Sequence, residues 1–206
     1  MTRQSRLWLL AAAGVAAAVA VIVLVFGYNR PPQFPSLYEA GGPTVDASVA
    51  FVEYDRHDCV RVLDVASGDS DEIYCSQWVW IEGWDRHGKL RVNADGSGQS
   101  LAIDPATGGV ERSSDSVPLL DRGNEEDIRV SAEGGRVQLL YRSGDTEVVL
   151  IDVECPRDYG FWHLGVTNDG QWVWAVDSED RLLLVAVDAS SGPWLVAEGI
   201  NDPAWK

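Results

Sequence analysis

The amino-acid sequence predicts an all-β domain of about four antiparallel, four-stranded units, preceded by one transmembrane helix. Three observations carry this. Residues 7–28 run 22 positions without a charge. Beyond residue 46, apolar residues come in runs of five to eight between clusters of turn residues, with no helical apolar period. One short phrase also recurs, as VLDVASG at 62–68, LAIDPATG at 101–108 and LVAVDASSG at 184–192.

The N-terminal run, LWLLAAAGVAAAVAVIVLVFGY, reaches roughly 33 Å as a helix, enough to cross a ~30 Å hydrocarbon core. A signal peptide competes with this reading, but its apolar region spans only about 7–15 residues and ends in small side chains. Here the run ends in VLVFGYN, bulky where a peptidase needs small residues. Arg3 and Arg6 precede the span, which puts the tail, residues 1–6, in the cytoplasm. Trp8 and Tyr28 fall near the two interfaces, and Gly14 with Ala18 forms a small-xxx-small pair of the kind that lets spans pack closely. Residues 29–45 carry four prolines and two glycines and read as a semi-extended linker. Residues 46–206 are therefore expected outside the membrane as a single domain.

Charge narrows the partners. The chain has a net charge of −16, but residues 1–30 hold three arginines and no acid. The remainder carries 13 basic against 32 acidic side chains, or −19. Such a field repels nucleic acid and anionic headgroups and attracts cations or basic partners. The plain alternative is that surplus acid keeps the domain soluble.

The exported part repeats. FWHLGVT (161–167), QWVWAVD (171–177), LLLVAVD (182–188) and PWLVAEG (193–199) form a meander with three tight turns. QWVWIEGW (77–84), KLRVNA (89–94), QSLAID (99–104) and GVERSS (109–114) match it. A third unit shows three strands, at 127–132, 136–142 and 146–153. The first unit, ASVAFVEY, CVRVLDV and DEIYCSQ, begins at its second strand. Asp64, Asp104 and Asp188 then end the third strand of their units, and Gly68, Gly108 and Gly192 follow in the turn. An Asp there accepts N–H bonds from the turn and Gly supplies positive φ, so these residues are turn structure rather than catalysts. The copy expected at Asp152 has lost its Ser/Thr-Gly.

Four-stranded units repeating every 36–48 residues are propeller blades. NDGQWVWAVD (168–177) and AIDPATGGVER (102–112) resemble the blades of bacterial β-propeller repeat proteins of the TolB/WD40-like and quinoprotein-like kinds, with Arg112 where the quinoprotein pattern has Trp. The resemblance covers residues 47–206 and implies a protein-docking surface. It departs in number, with about four blades where six to eight are usual. A small ring, a split propeller completed by a partner, and a partly open β fold remain as alternatives.

Candidate chemistry is sparse. Trp78, Trp80 and Trp84 share one strand face by period 2, as do Trp172 and Trp174. They read as core, with an aromatic platform for polysaccharide as the sharper alternative. Asn93, Asp95, Ser97, Gly98 and Asp104 imitate a calcium loop, but Ser100 and the flanking strands favour a hairpin. His57 and His87 occupy hairpin tips and His163 stands alone on a strand. No HExxH, CxxC, GxSxG or Walker pattern is present, so no enzyme activity, metal or cofactor is expected.

Two structural expectations are sharper. If the ASG turn centres on Ser67, paired residue numbers sum to 134, which sets Cys59 opposite Cys75 as a disulfide and leaves Cys155 odd. The first unit lacks a first strand, so residues 202–206 are expected to supply it and latch the domain. Function is expected to be that of a membrane-anchored, extracytoplasmic interaction module, an accessory or scaffold subunit of a cell-envelope complex that binds another envelope protein. The alternative is a binding or sensing domain for a small ligand, polysaccharide or cation.

Overall fold

Alternating apolar runs broken by Asp-, Ser- and Gly-rich turns fold the described residues beyond 46 into antiparallel hairpins. The structure is a computed structural model and describes residues 31–54, 56–96, 100–113, 118–119, 127–154 and 159–206. The expected membrane span at 7–28, and Cys155, lie outside the described residues. Among the described residues no helix is long and apolar enough to cross a membrane.

Fifteen strands among these residues form four antiparallel sheets. Sheet I holds, in spatial order, β15 (Asn201–Trp205), β1 (Ser48–Tyr54), β2 (Asp58–Asp64) and β3 (Ser70–Ser76). Sheet II is β4 (Val79–Trp84), β5 (Leu90–Ala94), β6 (Ser100–Asp104) and β7 (Gly109–Arg112). Sheet III has three strands, β8 (Ile128–Glu133), β9 (Arg136–Ser143) and β10 (Thr146–Glu154). Sheet IV is β11 (Phe161–Val166), β12 (Trp172–Asp177), β13 (Leu182–Ala186) and β14 (Trp194–Ala197). The arrangement is propeller-like.

The C-terminal latch is present. β15 pairs antiparallel with β1, Val49 opposite Trp205 and Ala50 opposite Ala204, and begins one residue earlier than the sequence suggested. It covers the edge of β1 that would otherwise present unpaired N–H and C=O groups.

Each core lies between two sheets. Val49, Phe51 and Leu63 of sheet I meet Trp174, Leu182 and Leu184 of sheet IV. Leu139 and Ile151 of sheet III meet Val173, Leu183 and Val185. Val52 and Val60 meet Ile81, Leu90, Val92 and Ile103 of sheet II. The sheets therefore follow one another as III, IV, I, II. β13 explains its own unbroken apolar run: Leu182 and Leu184 enter one core, Leu183 and Val185 the next, and all five residues are buried. Among the described residues no apolar cluster joins sheet II to sheet III. The faces of these two sheets turned away from the cores carry ion pairs instead, Arg91 with Glu82 at 2.8 Å and Arg136 with Asp152 at 2.8 Å.

The described part of the Pro/Gly-rich stretch is a strap seated on the domain. Leu37 N–H donates to Leu195 O and Leu195 N–H to Pro35 O, both at 2.8 Å, along the outer edge of sheet IV. Leu37 and Val45 are buried in the core between sheets I and IV.

Cys59 and Cys75 are joined, directly opposite each other on β2 and β3. The register reaches this pair by a detour. Next to the turn, Leu63 faces Ser70 and Arg61 faces Glu72, sums of 133. An irregularity at Ile73 then restores 134 for Val60–Tyr74 and Cys59–Cys75. The bond closes a loop with a sequence separation of 16, for which chain entropy gives about 3 kcal/mol. Substituting both cysteines by alanine should lower the unfolding free energy in urea by roughly that amount. An unchanged urea midpoint would show that the bond constrains nothing.

Candidate functional site

Strand direction sorts the loops into two rims. β4 and β15 run in step, since Ile81 N–H donates to Asp202 Oδ2 at 2.6 Å and Trp84 Nε1–H to Ala204 O at 3.0 Å. Ile200 N–H donates to Asp180 O at 2.9 Å, tying the corresponding end of sheet IV to sheet I. One rim therefore gathers the tips at residues 54–58, 95–96 and 177–181 with the starts of β4, β11 and β15. The opposite rim holds the turns after Asp64, Asp104 and Asp188.

The recurring aspartates do what the turn chemistry predicts. Asp64 Oδ1 accepts from Ala66 N–H at 2.8 Å, Asp104 Oδ1 from Ala106 N–H at 3.0 Å, and Asp188 Oδ1 from Ser190 N–H at 2.9 Å. Bonds from Thr107 and its neighbours hold the Asp104 carboxyl below its ordinary range, and Ser190 does the same for Asp188. Gly68, Gly108 and Gly192 all have positive φ, and a Cβ at Gly192 would lie 2.8 Å from Leu184 O. Asp152 departs from the pattern: it lies inside β10, and its carboxylate pairs with Arg136 rather than capping a turn.

The other rim carries exposed aromatics. Tyr54 is 57% exposed, Trp78 39%, Trp80 42% and Trp162 65%. Trp78 and Trp80 meet edge to face with centroids 4.3 Å apart and planes at 79°. Beside them is a cleft of about 630 Å³, lined chiefly by Tyr74, Cys75, Ser76, Gln77, Trp78 and Asp95. Trp162 projects because β11 carries an irregularity between Phe161 and Leu164, which leaves Trp162 and His163 outside the ladder and exposed.

Carboxylates are interleaved with these rings. Asp95 holds φ of 57° at the β5–β6 tip, donates its N–H to Trp78 O at 2.9 Å and accepts the Ser76 hydroxyl at Oδ1. Partial burial, then the charges of Asp202, Asp58 and Asp180, raises the pKa of the Tyr54 hydroxyl. All three acids thus lie close enough to Tyr54 to act on it. Aromatic faces among carboxylates are suited to holding cationic groups.

Other candidates resolve differently. Cys59, Glu72 and Cys75 form the one potential metal-ligand group among the described residues, and its two sulfurs are bonded to each other. The calcium-like stretch is a hairpin. Asn93 pairs with Ser100 and Asp104 with Gly109, so loop positions 1 and 12 stand about 13 Å apart along the strand. Tips carrying His57 and His87 lie on opposite rims. Trp172 and Trp174 pack in the core between sheets I and IV as expected.

Trp84 corrects the one-face reading. The β4–β5 register shifts between Ile81 and Gly83, and Gly83 takes φ of 139°. This bulge reverses side-chain parity, so Trp84 joins Val79 and Ile81 in the core at 2% exposure while Trp80 stays outside.

Sequence reasoning missed the buried pair Asp177 and Arg181. Arg181 Nη2 lies 2.6 Å from Asp177 Oδ2, and Tyr159 donates its hydroxyl to the same oxygen at 3.0 Å. Burial works against the Arg181 charge, but its bonds to Asp177 more than offset that and raise its pKa. Arg181 also donates to Pro32 O at 2.8 Å and lies over the Phe34 ring, which fastens the strap. An Asp and an Arg bracketing a tight turn between apolar strands was the available signal.

No protein-family model matches this chain, and no curated protein does. Among solved structures it is similar to TolB from Acinetobacter baumannii, at 15% identity and a TM-score of 0.29, over 77% of this chain and 43% of that one. A protein from Lactobacillus plantarum matches at 15% identity and 0.24, over 70% and 53%. A chain provisionally assigned as a 6-phosphogluconolactonase, from Bacteroides fragilis, matches at 12% and 0.21, over 72% and 52%. The chain therefore spans only 43–53% of the length of these three structures.

Proposed function

We propose that this chain is a membrane-anchored, extracytoplasmic interaction module, an accessory or scaffold subunit of a cell-envelope complex that docks another envelope protein. One observation carries the reading. Four exposed aromatics from three separate stretches of sequence, on or beside sheets I, II and IV, are brought to a single rim. Exposed tryptophans grouped with tyrosine are the anchors on which protein interfaces concentrate their binding energy. The uncharged run at 7–28 supplies the anchor. Affinity purification of the full chain in mild detergent should recover a stoichiometric envelope protein. The paired substitution Trp78→Ala and Trp162→Ala should abolish that recovery while the domain's far-ultraviolet circular dichroism is preserved. Equal recovery by wild type and variant would remove the rim from the interface.

The cleft favours a second reading, a small-ligand sensor, because its volume falls in the range of ligand pockets, about 300–1,000 Å³. A sensor would purify alone and gain melting temperature as its ligand is titrated.

A further inference from the structure

We propose that the rim receives a basic segment of a membrane-borne partner, with a guanidinium or ammonium group seated in the cleft between Trp78 and Asp95. This inference rests on the docking reading above and names the chemistry of the partner. Three features of the molecule point to it.

The first is the cleft. Trp78 is 39% exposed and Trp80, set nearly perpendicular to it, is 42% exposed, so the two rings offer a corner of accessible π faces. Asp95 lines the same cleft, its N–H held by Trp78 O and its Oδ1 by the Ser76 hydroxyl. A planar cation stacked on an indole face and facing a fixed carboxylate gains from both at once. Among the described residues no basic side chain lines this cleft.

Charge complementarity is the second. Asp58, Asp180 and Asp202 stand at the same rim around the exposed Tyr54, in a domain whose residues beyond 30 carry −19. Arg181, the rim's buried cation, is committed to Asp177 and Pro32, and the exposed Arg56 at the 54–58 tip is outnumbered by Asp58, Asp95, Asp180 and Asp202. An acidic partner, or an anionic lipid surface, would be repelled here.

Tether geometry is the third. The strap leaves the domain beside this rim, where Arg181 holds Pro32 O. Four residue steps separate Pro32 from Tyr28 at the end of the uncharged run, a reach of about 14 Å at most. An anchor at 7–28 would then hold this rim within reach of another membrane protein. The same carboxylates disfavour sinking the tryptophans into lipid.

The test uses the full chain in neutral detergent at low salt and a short fluorescent peptide bearing arginines, beside a twin with uncharged citrulline at those positions. The arginine peptide should bind and the twin should bind about tenfold more weakly or worse. Trp78→Ala and Asp95→Asn should each weaken the arginine peptide. Asn tolerates the positive φ at position 95 and still accepts the Ser76 hydroxyl, so that variant removes only charge. Asp69→Asn, exposed on the opposite rim, should leave binding unchanged. Equal binding of the twin, or equal loss with Asp69→Asn, would overturn the proposal in favour of apolar contact or a diffuse field. So would binding to phosphatidylcholine vesicles that depends on Trp78 while the arginine peptide is ignored. If a co-purified partner is lost with Trp78→Ala yet is not displaced by the arginine peptide, the docking reading stands and the basic-segment proposal fails.

Discussion

Removing residues 201–206 should lower the melting temperature by about 10–15 °C, the effect expected of roughly 4–5 kcal/mol in a domain of this size. The deletion takes away more than a strand. Trp205 stacks on Trp174 with centroids 6.0 Å apart and planes 8° from parallel, and Trp174 is part of the core between sheets I and IV. Burying such a ring contributes about 2–3 kcal/mol. Ala204 O is the acceptor for the buried Trp84 indole N–H, and Asp202 Oδ2 for the Ile81 N–H; each donor left unsatisfied costs about 1–3 kcal/mol. The same six residues therefore close sheet I and join it to sheet II. Loss of the strand also frees the β1 edge, so the truncated chain should self-associate. Trp205→Ala alone should give about half the shift. A truncated chain that melts with the full one and stays monodisperse in light scattering would show that β15 is dispensable.

Asp177→Ala should destabilise by about 3–5 kcal/mol, because it leaves the Arg181 guanidinium buried without its counter-charge. Asp177 is fully buried and Arg181 is 7% exposed. The carboxylate also accepts the backbone N–H groups of Glu179 and Arg181 at the tip, so the hairpin loses its cap as well. Arg181→Leu should cost less than Asp177→Ala, since Tyr159 can still donate to the remaining carboxylate. The double variant should be more stable than the sum of the two single losses predicts, a coupling that a double-mutant cycle in urea measures directly. Arg181→Leu should in addition loosen the strap, seen as faster amide exchange at Leu37, whose N–H bonds Leu195 O. Strict additivity across the cycle would mean that the pair does not act as a unit.

Local chemistry was legible in the sequence. Strand and turn positions follow from apolar runs and turn residues, so the four strands of sheet IV match the phrases FWHLGVT, QWVWAVD, LLLVAVD and PWLVAEG to within a few residues. The turn role of Asp64, Asp104 and Asp188 is an interaction over two or three residues and needs no tertiary information. The latch was legible by subtraction, because one unit lacked a strand and the chain end had one to spare. The disulfide was reached through a turn centre half a residue off and an irregularity at Ile73 that compensated for it. A bulge changes side-chain parity without changing composition, which is why Trp84 was placed with Trp78 and Trp80 until Gly83 reversed the face. Only the tertiary structure could decide what lies between sheets. The pairing of Asp177 with Arg181 is worth little on an exposed hairpin and becomes decisive once Tyr159, Phe34 and Pro32 enclose it. The rim likewise depends on the sheets standing in the order III, IV, I, II with their first strands in step. That order is set by which apolar faces share a core, a long-range property that no local pattern at Tyr54, Trp78 or Trp162 records.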